Sequence, residues 1–184
     1  MSFDIQTYDV IVIGAGHAGC EAALASARMG CRTLLSTIDM DKIASMPCSP
    51  SIGGMAKGQL VKEIDALGGM MAKITDSSAI QYRTLNTRKG PVVHSTRTQN
   101  DKLLYSKNMK AAIENADNLD LKQAMVQELI VEGSAAAGII DQTGFEYRAK
   151  AVVIATGTFL RGTVHIGASK IDAGRAGEFS SIGL

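Results

Sequence analysis

Residues 8–30, YDVIVIGAGHAGCEAALASARMG, constrain the fold more than any other stretch: a short apolar run breaks into three spaced glycines and becomes an alanine-rich helical segment. The uninterrupted β-branched run VIVI at 10–13 is the pattern of a parallel strand buried on both faces. Gly14 permits a tight turn, Gly16 lets the backbone approach a pyrophosphate without a Cβ in the way, and Gly19 lets the helix pack close on the strand. Ala15, His17 and Ala18 complete the turn, and the unpaired N–H groups at the helix start form a seat for phosphate. Strand, glycines and helix in that order read as a dinucleotide site. His17 is taken as steric and polar lining beside the pyrophosphate.

Residues 31–37 (CRTLLST) read as the second parallel strand of a βαβ unit. Its end, where an acidic residue often holds the ribose, carries Ser36 and Thr37, with Asp39 two residues beyond; the two hydroxyls are preferred for that role. Residues 46–58 (MPCSPSIGGMAKG) and 86–93 (NTRKGPVV) are irregular, with a short helix over 59–67 between them. The pattern over 97–116 predicts a long helix. Short strands follow at 119–124, 128–131, 136–141 and 145–150, and a last apolar strand at 151–155 runs into Thr156-Gly157. An apolar strand that returns after a small β meander and ends in A-T-G is the pattern of flavin-type dinucleotide domains. It favours FAD over free NAD and adds Thr156 and Gly157 to the cofactor set. The expected fold is α/β: a Rossmann-like FAD/NAD(P)-binding domain with a parallel sheet and a small antiparallel meander, incomplete within residues 1–184.

With 184 residues, 46% of them hydrophobic, the chain suffices for about one domain, and a net charge of +1 argues against bulk affinity for polyanions. Nucleic-acid contact must then come from a local patch. Lys57, Arg83, Arg88, Lys89 and Arg97 supply one around the two irregular stretches, where acidic residues are few apart from Glu63 and Asp65. Any one of them taken alone reads first as solvated surface charge. No apolar run approaches a membrane span and the start MSFDIQTYD lacks the basic region of a signal peptide, so the expected location is cytoplasmic, away from membranes. Cys20, Cys31 and Cys48 have neither zinc-ligand nor C-x-x-C spacing; they read as thiols, and no metal is expected. Lys57 is followed by Gly58 and Gln59, which departs from the phosphate loop of nucleoside triphosphatases.

Three longer blocks carry a resemblance. They are PCSPSIGGMAKGQLVKEIDALGG at 47–69, IQYRTLNTRKGPVVHSTRTQND at 80–101, and TGTFLRGTVHIG at 156–167 followed by GRAGE at 174–178. Together they are similar to the glucose-inhibited division protein A family, the large FAD-containing subunits of the tRNA uridine 5-carboxymethylaminomethyl modification enzyme. Two departures stand out: Ser49 where asparagine is expected and Val92 where alanine is usual. Family chains are much longer, so the resemblance implies an amino-terminal fragment, inactive alone, whose missing part supplies an NAD(P)H-binding insertion, the rest of the flavin domain and a helical region that meets a GTPase partner. It further implies a homodimer and an FAD-dependent enzyme that, with that GTPase, adds a carboxymethylaminomethyl group to the wobble uridine of certain tRNAs. Methylene-tetrahydrofolate is the implied one-carbon source, glycine the source of the remainder, and NADH the reductant. In the family the residue matching Val126 touches adenine through its backbone, and Ser181 touches the flavin nucleotide.

The chemistry needs a nucleophile, because uridine carbon five becomes nucleophilic only after addition at the neighbouring carbon. Cys48 is the cysteine outside regular structure and is the candidate; a loop thiol without a catalytic role is the plain alternative. Cys20 and Cys31 read as packing residues. Arg83, Lys89 and Arg97 are substrate-binding candidates, suited to phosphates or to the glutamyl tail of a folate. Two other readings stay open, another FAD-dependent oxidoreductase and a non-catalytic flavin-binding module. A dithiol reductase would need a second cysteine near Cys48, and the sequence offers none.

Overall fold

A computed structural model describes residues 6–184; residues 1–5, the first part of the stretch read for a signal peptide, lie outside the described residues. The β-branched run sits in β1 (Gln6–Ile13), the glycine turn follows, and α1 (His17–Arg28) leads back to β2 (Thr33–Thr37), which pairs parallel with β1. Ile11 and Val12 are fully buried, while Val10 is half-buried. Next come the short β3 (Ser51–Gly53), α2 (Lys57–Ala66), α3 (Met71–Ser78), β4 (Ala79–Leu85), β5 (Ser95–Asn100) and α4 (Lys102–Glu114). The chain then adds β6 (Leu119–Gln123), β7 (Val126–Glu132), β8 (Ala135–Asp141) and β9 (Glu146–Ile154), and closes with a hairpin of β10 (Thr163–Ile166) and β11 (Ser169–Asp172).

The main sheet has the order β6-β2-β1-β9-β8-β7. Its first four strands are parallel, and β9, β8 and β7 form the antiparallel meander. This is the expected Rossmann-like α/β architecture. Two apolar clusters flank the sheet. Val12 and Leu35 face α1 and α4 through Cys20, Ala23, Tyr105 and Met109; Tyr8, Ile11 and Ile13 face the meander through Val126, Ile139 and Tyr147.

The structure refines the sequence reading at several elements. The strands expected at 145–150 and 151–155 are one strand, because β9 pairs with β1 continuously from Tyr147 to Ile154 apart from Lys150. Its partner β8 stops at Arg148, so the outer edge beyond is open and Val153 and Ile154 are 37% and 47% exposed. The strand expected at 119–124 is β6, which joins the parallel sheet beside β2. The long helix expected over 97–116 begins only at Lys102, because residues 95–100 (STRTQN) form β5.

That strand carries no apolar residue, so hydrophobic periodicity cannot reveal it. Hydrogen bonds hold it instead. Asn100, 2% exposed, donates through Nδ2 to the Thr75 carbonyl and to Ser78 Oγ at 3.0 Å each, and Thr98 Oγ1 donates to Asn100 Oδ1 at 2.8 Å. Asp101 then starts α4 by accepting from the N–H groups of Leu103 and Leu104 at 2.9 and 3.0 Å. Asp101→Ala removes this cap and is expected to destabilise the fold by about 1 kcal/mol, read as a lower urea midpoint with an unchanged slope.

Candidate functional site

A cavity of 380 Å³ opens where β1, β2 and β9 end. Ligands of open α/β sheets bind at such carboxyl ends. The rim is tied together by backbone bonds: Gly14 N–H donates to the Ser36 carbonyl, Ala155 N–H to Ile13 and Ala124 N–H to Thr37, each at 2.8 Å. The three glycines have separate roles. A Cβ at Gly19 would lie 1.7 Å from the Gly14 carbonyl oxygen, so this glycine closes α1 onto the turn as much as onto the strand. Gly14 has φ +100° and sits against the Ala155 carbonyl. A Cβ at Gly16 meets nothing within 4 Å, so the space before it is free for a ligand. Gly16 caps α1 with no side-chain hydrogen bond, which leaves the helix's first N–H groups for an anion. The residues present therefore fit a dinucleotide pyrophosphate.

Gly14, Ala15, Gly16, Ser36, Thr37, Val126, Thr156, Gly157 and Ser181 all line this cavity. Ala18 and Gly19 do not. The Ser36 hydroxyl, 1% exposed, is spent on the Ala124 carbonyl at 2.9 Å, and Thr37 Oγ1 donates to the Asp39 carbonyl at 3.2 Å. Asp39, also in the wall, caps its own short turn through the Asp41 N–H at 2.9 Å. Ser181 arrives because its N–H bonds the Phe159 carbonyl at 2.8 Å and its carbonyl accepts from Arg161 N–H at 3.0 Å.

The sequence reading missed Lys42, Arg175 and Glu178. Glu178 pairs with Lys42 Nζ at 3.4 Å and with Arg175 Nε at 3.3 Å, and Arg175 Nη1 donates to Ser45 Oγ at 3.0 Å. This network fastens residues 174–178 across the cavity wall. GRAGE was visible as a block, but nothing local says that its charges meet a lysine more than 130 residues earlier.

A second cavity of 720 Å³ lies on the other side of residues 45–48, and Ser45, Pro47 and Cys48 line both. Cys48 is exposed, Cys31 half-buried and Cys20 buried, and all three are free thiols. Burial, with Glu21 beside it, pushes the Cys20 thiol up to about 12, so it stays protonated. No group of His, Cys, Asp or Glu among the described residues is arranged to hold a metal ion. Arg97 lines the second cavity, Arg83 stands directly opposite it on β4, and Lys89 sits apart on the loop joining β4 to β5. Of the two departures noted in the sequence, Ser49 Oγ hydrogen-bonds Ser51 Oγ at 2.8 Å, and Val92 is 91% exposed, where a larger side chain disturbs no packing.

His17 does not line the first cavity, which corrects its expected place beside the pyrophosphate. It lines the second, with its ring 5.5 Å from that of the fully buried Tyr105. His17 Nε2 and the Tyr105 hydroxyl are both buried without a hydrogen-bond partner. Burial holds the His17 imidazole below its ordinary value of 6.5. The unfolded chain takes up this proton near pH 6.5 while the folded one resists, so the unfolded state binds more protons and His17 makes stability fall as pH drops below that value. Between pH 7.5 and about 5.5 the wild type is expected to lose more stability than His17→Gln in urea unfolding.

Comparison with known proteins agrees with this geometry. The family described as glucose inhibited division protein A matches residues 9–184. The tRNA uridine 5-carboxymethylaminomethyl modification enzyme MnmG of Syntrophobacter fumaroxidans is 64% identical over 98% of this chain and 28% of its own length. The form II crystal structure of Aquifex aeolicus GidA superimposes with a TM-score of 0.95 at 50% identity, covering all of this chain and 30% of that one. The GidA-related protein of Thermus thermophilus gives a TM-score of 0.69 at 25% identity, over 96% of this chain and 65% of that one. The chain thus spans under a third of the length of the first two relatives. With the match running over nearly every residue on one shared fold, the chain belongs to the glucose inhibited division protein A family.

Proposed function

We propose that this chain is the FAD-binding part of an enzyme that adds a carboxymethylaminomethyl group to the wobble uridine of certain tRNAs. The observation that carries the reading is the first cavity: an uncapped helix start and an unobstructed Gly16 at the ends of three parallel strands, with Cys48 in the wall shared with a second cavity. Gly14 to Gly16 and the first N–H groups of α1 would hold the pyrophosphate. Val126 with Ser36 and Thr37 would flank the adenosine end, and Thr156, Gly157 and Ser181 the flavin end. A bound flavin supplies hydride transfer and carriage of a one-carbon unit. The protein residues orient the reactants and exclude water. The Cys48 thiolate forms a bond to the uracil carbon next to carbon five, which pushes electron density onto carbon five; after the new carbon–carbon bond forms there, loss of the carbon-five proton expels the sulfur.

The family reading also supplies methylene-tetrahydrofolate as one-carbon source, glycine as the source of the remainder, NADH as reductant, a GTPase partner, a homodimer and a cytoplasmic location. The names of the relatives support the tRNA substrate. No helix among the described residues is long and apolar enough to cross a membrane.

Because a Cβ at Gly16 touches nothing, Gly16→Val in the full-length protein is expected to fold as the wild type does, by circular dichroism, while losing its stoichiometric flavin absorbance. Full flavin content in that variant would overturn the cofactor assignment. Cys48→Ser is expected to keep its FAD and to lose wobble-uridine modification by about 10²-fold or more, measured by nucleoside analysis of tRNA. Normal modification by Cys48→Ser would leave this thiol as part of the loop and place the nucleophile elsewhere.

A further inference from the structure

Of the cations between residues 57 and 97, five sit around the second cavity and the β4–β5 loop, Lys57, Arg83, Arg88, Lys89 and Arg97, and none of these makes an ion pair with a carboxylate among the described residues. All five are exposed. Two of them are placed at an electrostatic disadvantage. Arg83 and Arg97 are directly opposite on the antiparallel pair β4 and β5, so their side chains rise from the same face as nearest neighbours. Like charges in that position destabilise a sheet unless an anion lies between them. None of this chain's described carboxylates does so. Arg97 Nη2 is instead steadied by Ser51 Oγ at 3.0 Å, a neutral partner that orients the guanidinium and leaves its charge uncompensated.

The second cavity continues the pattern. Lys57 and Arg97 line it, its wall holds no aspartate or glutamate, and the start of α2 beside Lys57 has no side-chain cap. Around these cations Ile52, Met55, Val61, Met71 and Leu85 form an apolar surface, and Cys48 stands in the wall toward the first cavity. A volume of 720 Å³ with one cationic side and one apolar side suits a flat heterocycle that carries a phosphate. The positive charge also runs outside the cavity, through Arg83 on the sheet to Arg88 and Lys89 on the loop that follows β4. A small anion would need only the cations in the cavity; a chain of phosphates uses the whole row.

We propose that the second cavity seats one nucleotide of a single-stranded RNA segment, with its base toward Cys48 and its flanking phosphates held by Lys57 and the Arg83–Arg97 pair. This rests on the RNA-substrate reading given above. A loop nucleotide enters such a pocket without the cost of breaking a base pair.

The test uses the full-length, flavin-loaded protein and two synthetic anticodon stem-loops that carry a wobble uridine. In the second, both linkages flanking that uridine are neutral methylphosphonates. The wild type is expected to bind the neutral-linkage hairpin about tenfold more weakly. Arg97→Gln is expected to bind the natural hairpin about tenfold more weakly than the wild type, to discriminate much less between the two hairpins, and to show a salt dependence shallower by about one unit. Arg97→Lys should recover part of the discrimination. Flavin absorbance reports folding; if Arg97→Gln loses flavin, Lys57→Gln and the wild-type comparison decide.

Equal binding of both hairpins by the wild type, or undiminished discrimination by the folded variants, overturns the seat while leaving the RNA substrate standing. Failure of the wild type to bind the natural hairpin overturns both. Weakened binding of 5-formyl-tetrahydrofolate by Arg97→Gln with hairpin binding unchanged gives the cavity to a small carboxylate and also overturns the proposal.

Discussion

The close approach of Gly19 to the carbonyl of Gly14 is the contact on which the rest of the arrangement depends. With a side chain at position 19 the first turn of α1 cannot close over the loop that leaves β1, since a Cβ there would fall 1.7 Å from the oxygen. Closing it brings the helix's unpaired N–H groups over the ends of β1 and β9. It also turns the Ala15 carbonyl toward the next loop, where it accepts the Ala44 N–H at 2.9 Å. That bond ties the segment after β2 to the glycine turn, and with it the approach to Pro47 and Cys48. One backbone contact thus fixes the phosphate seat and helps place the thiol.

The two cavities are consequences of this geometry rather than separate inventions. Residues 45–48 form a partition, and Ser45 is held from the far side by Arg175. The first cavity is edged by backbone and small hydroxyls, most of them already committed to partners, which gives a rigid wall. The second is edged by β5 and the start of α2, where cations have no acid to answer them. His17 and Tyr105 sit under this second space with two buried polar atoms unpartnered. Natural interiors rarely leave such atoms unsatisfied, and the exceptions concentrate where a protein handles ligands or ordered water.

The open edge of β9 has a related cause. Its last residues are as apolar as those of β1, yet β8 leaves the sheet at Arg148 and no described strand replaces it. Val153 and Ile154 are therefore more exposed than their composition alone would suggest, although Ile154 pairs with the nearly buried Ile13. Burial of a strand is a property of its neighbours, and β1 has one on each side along its whole length near the site.

What the sequence determined by itself was local. The strand, three glycines and helix of 8–30 admit few other conformations, because positive φ at Gly14 and the missing side chain at Gly19 are requirements of the backbone, while the missing side chain at Gly16 leaves room for a ligand, each legible one residue at a time. The meander was legible for the same reason, through alternation and turn residues, and the three longer blocks carried the family. What only the tertiary structure decided was everything held by polar partners distant in sequence. β5 has no apolar residue and is held because Asn100 bonds to α3 and Thr98 bonds to Asn100 and to the Ile52 carbonyl of β3; the helix after it starts five residues later than its periodicity suggested. Arg83 and Arg97 become neighbours only through the β4–β5 register, Glu178 meets Lys42 only across the folded wall, and His17 turns from the expected phosphate seat toward Tyr105. Hydrophobic periodicity records burial, which acts residue by residue along the chain; hydrogen bonds and charge pairs between remote segments leave no such period, so they emerge only when the fold brings their partners together.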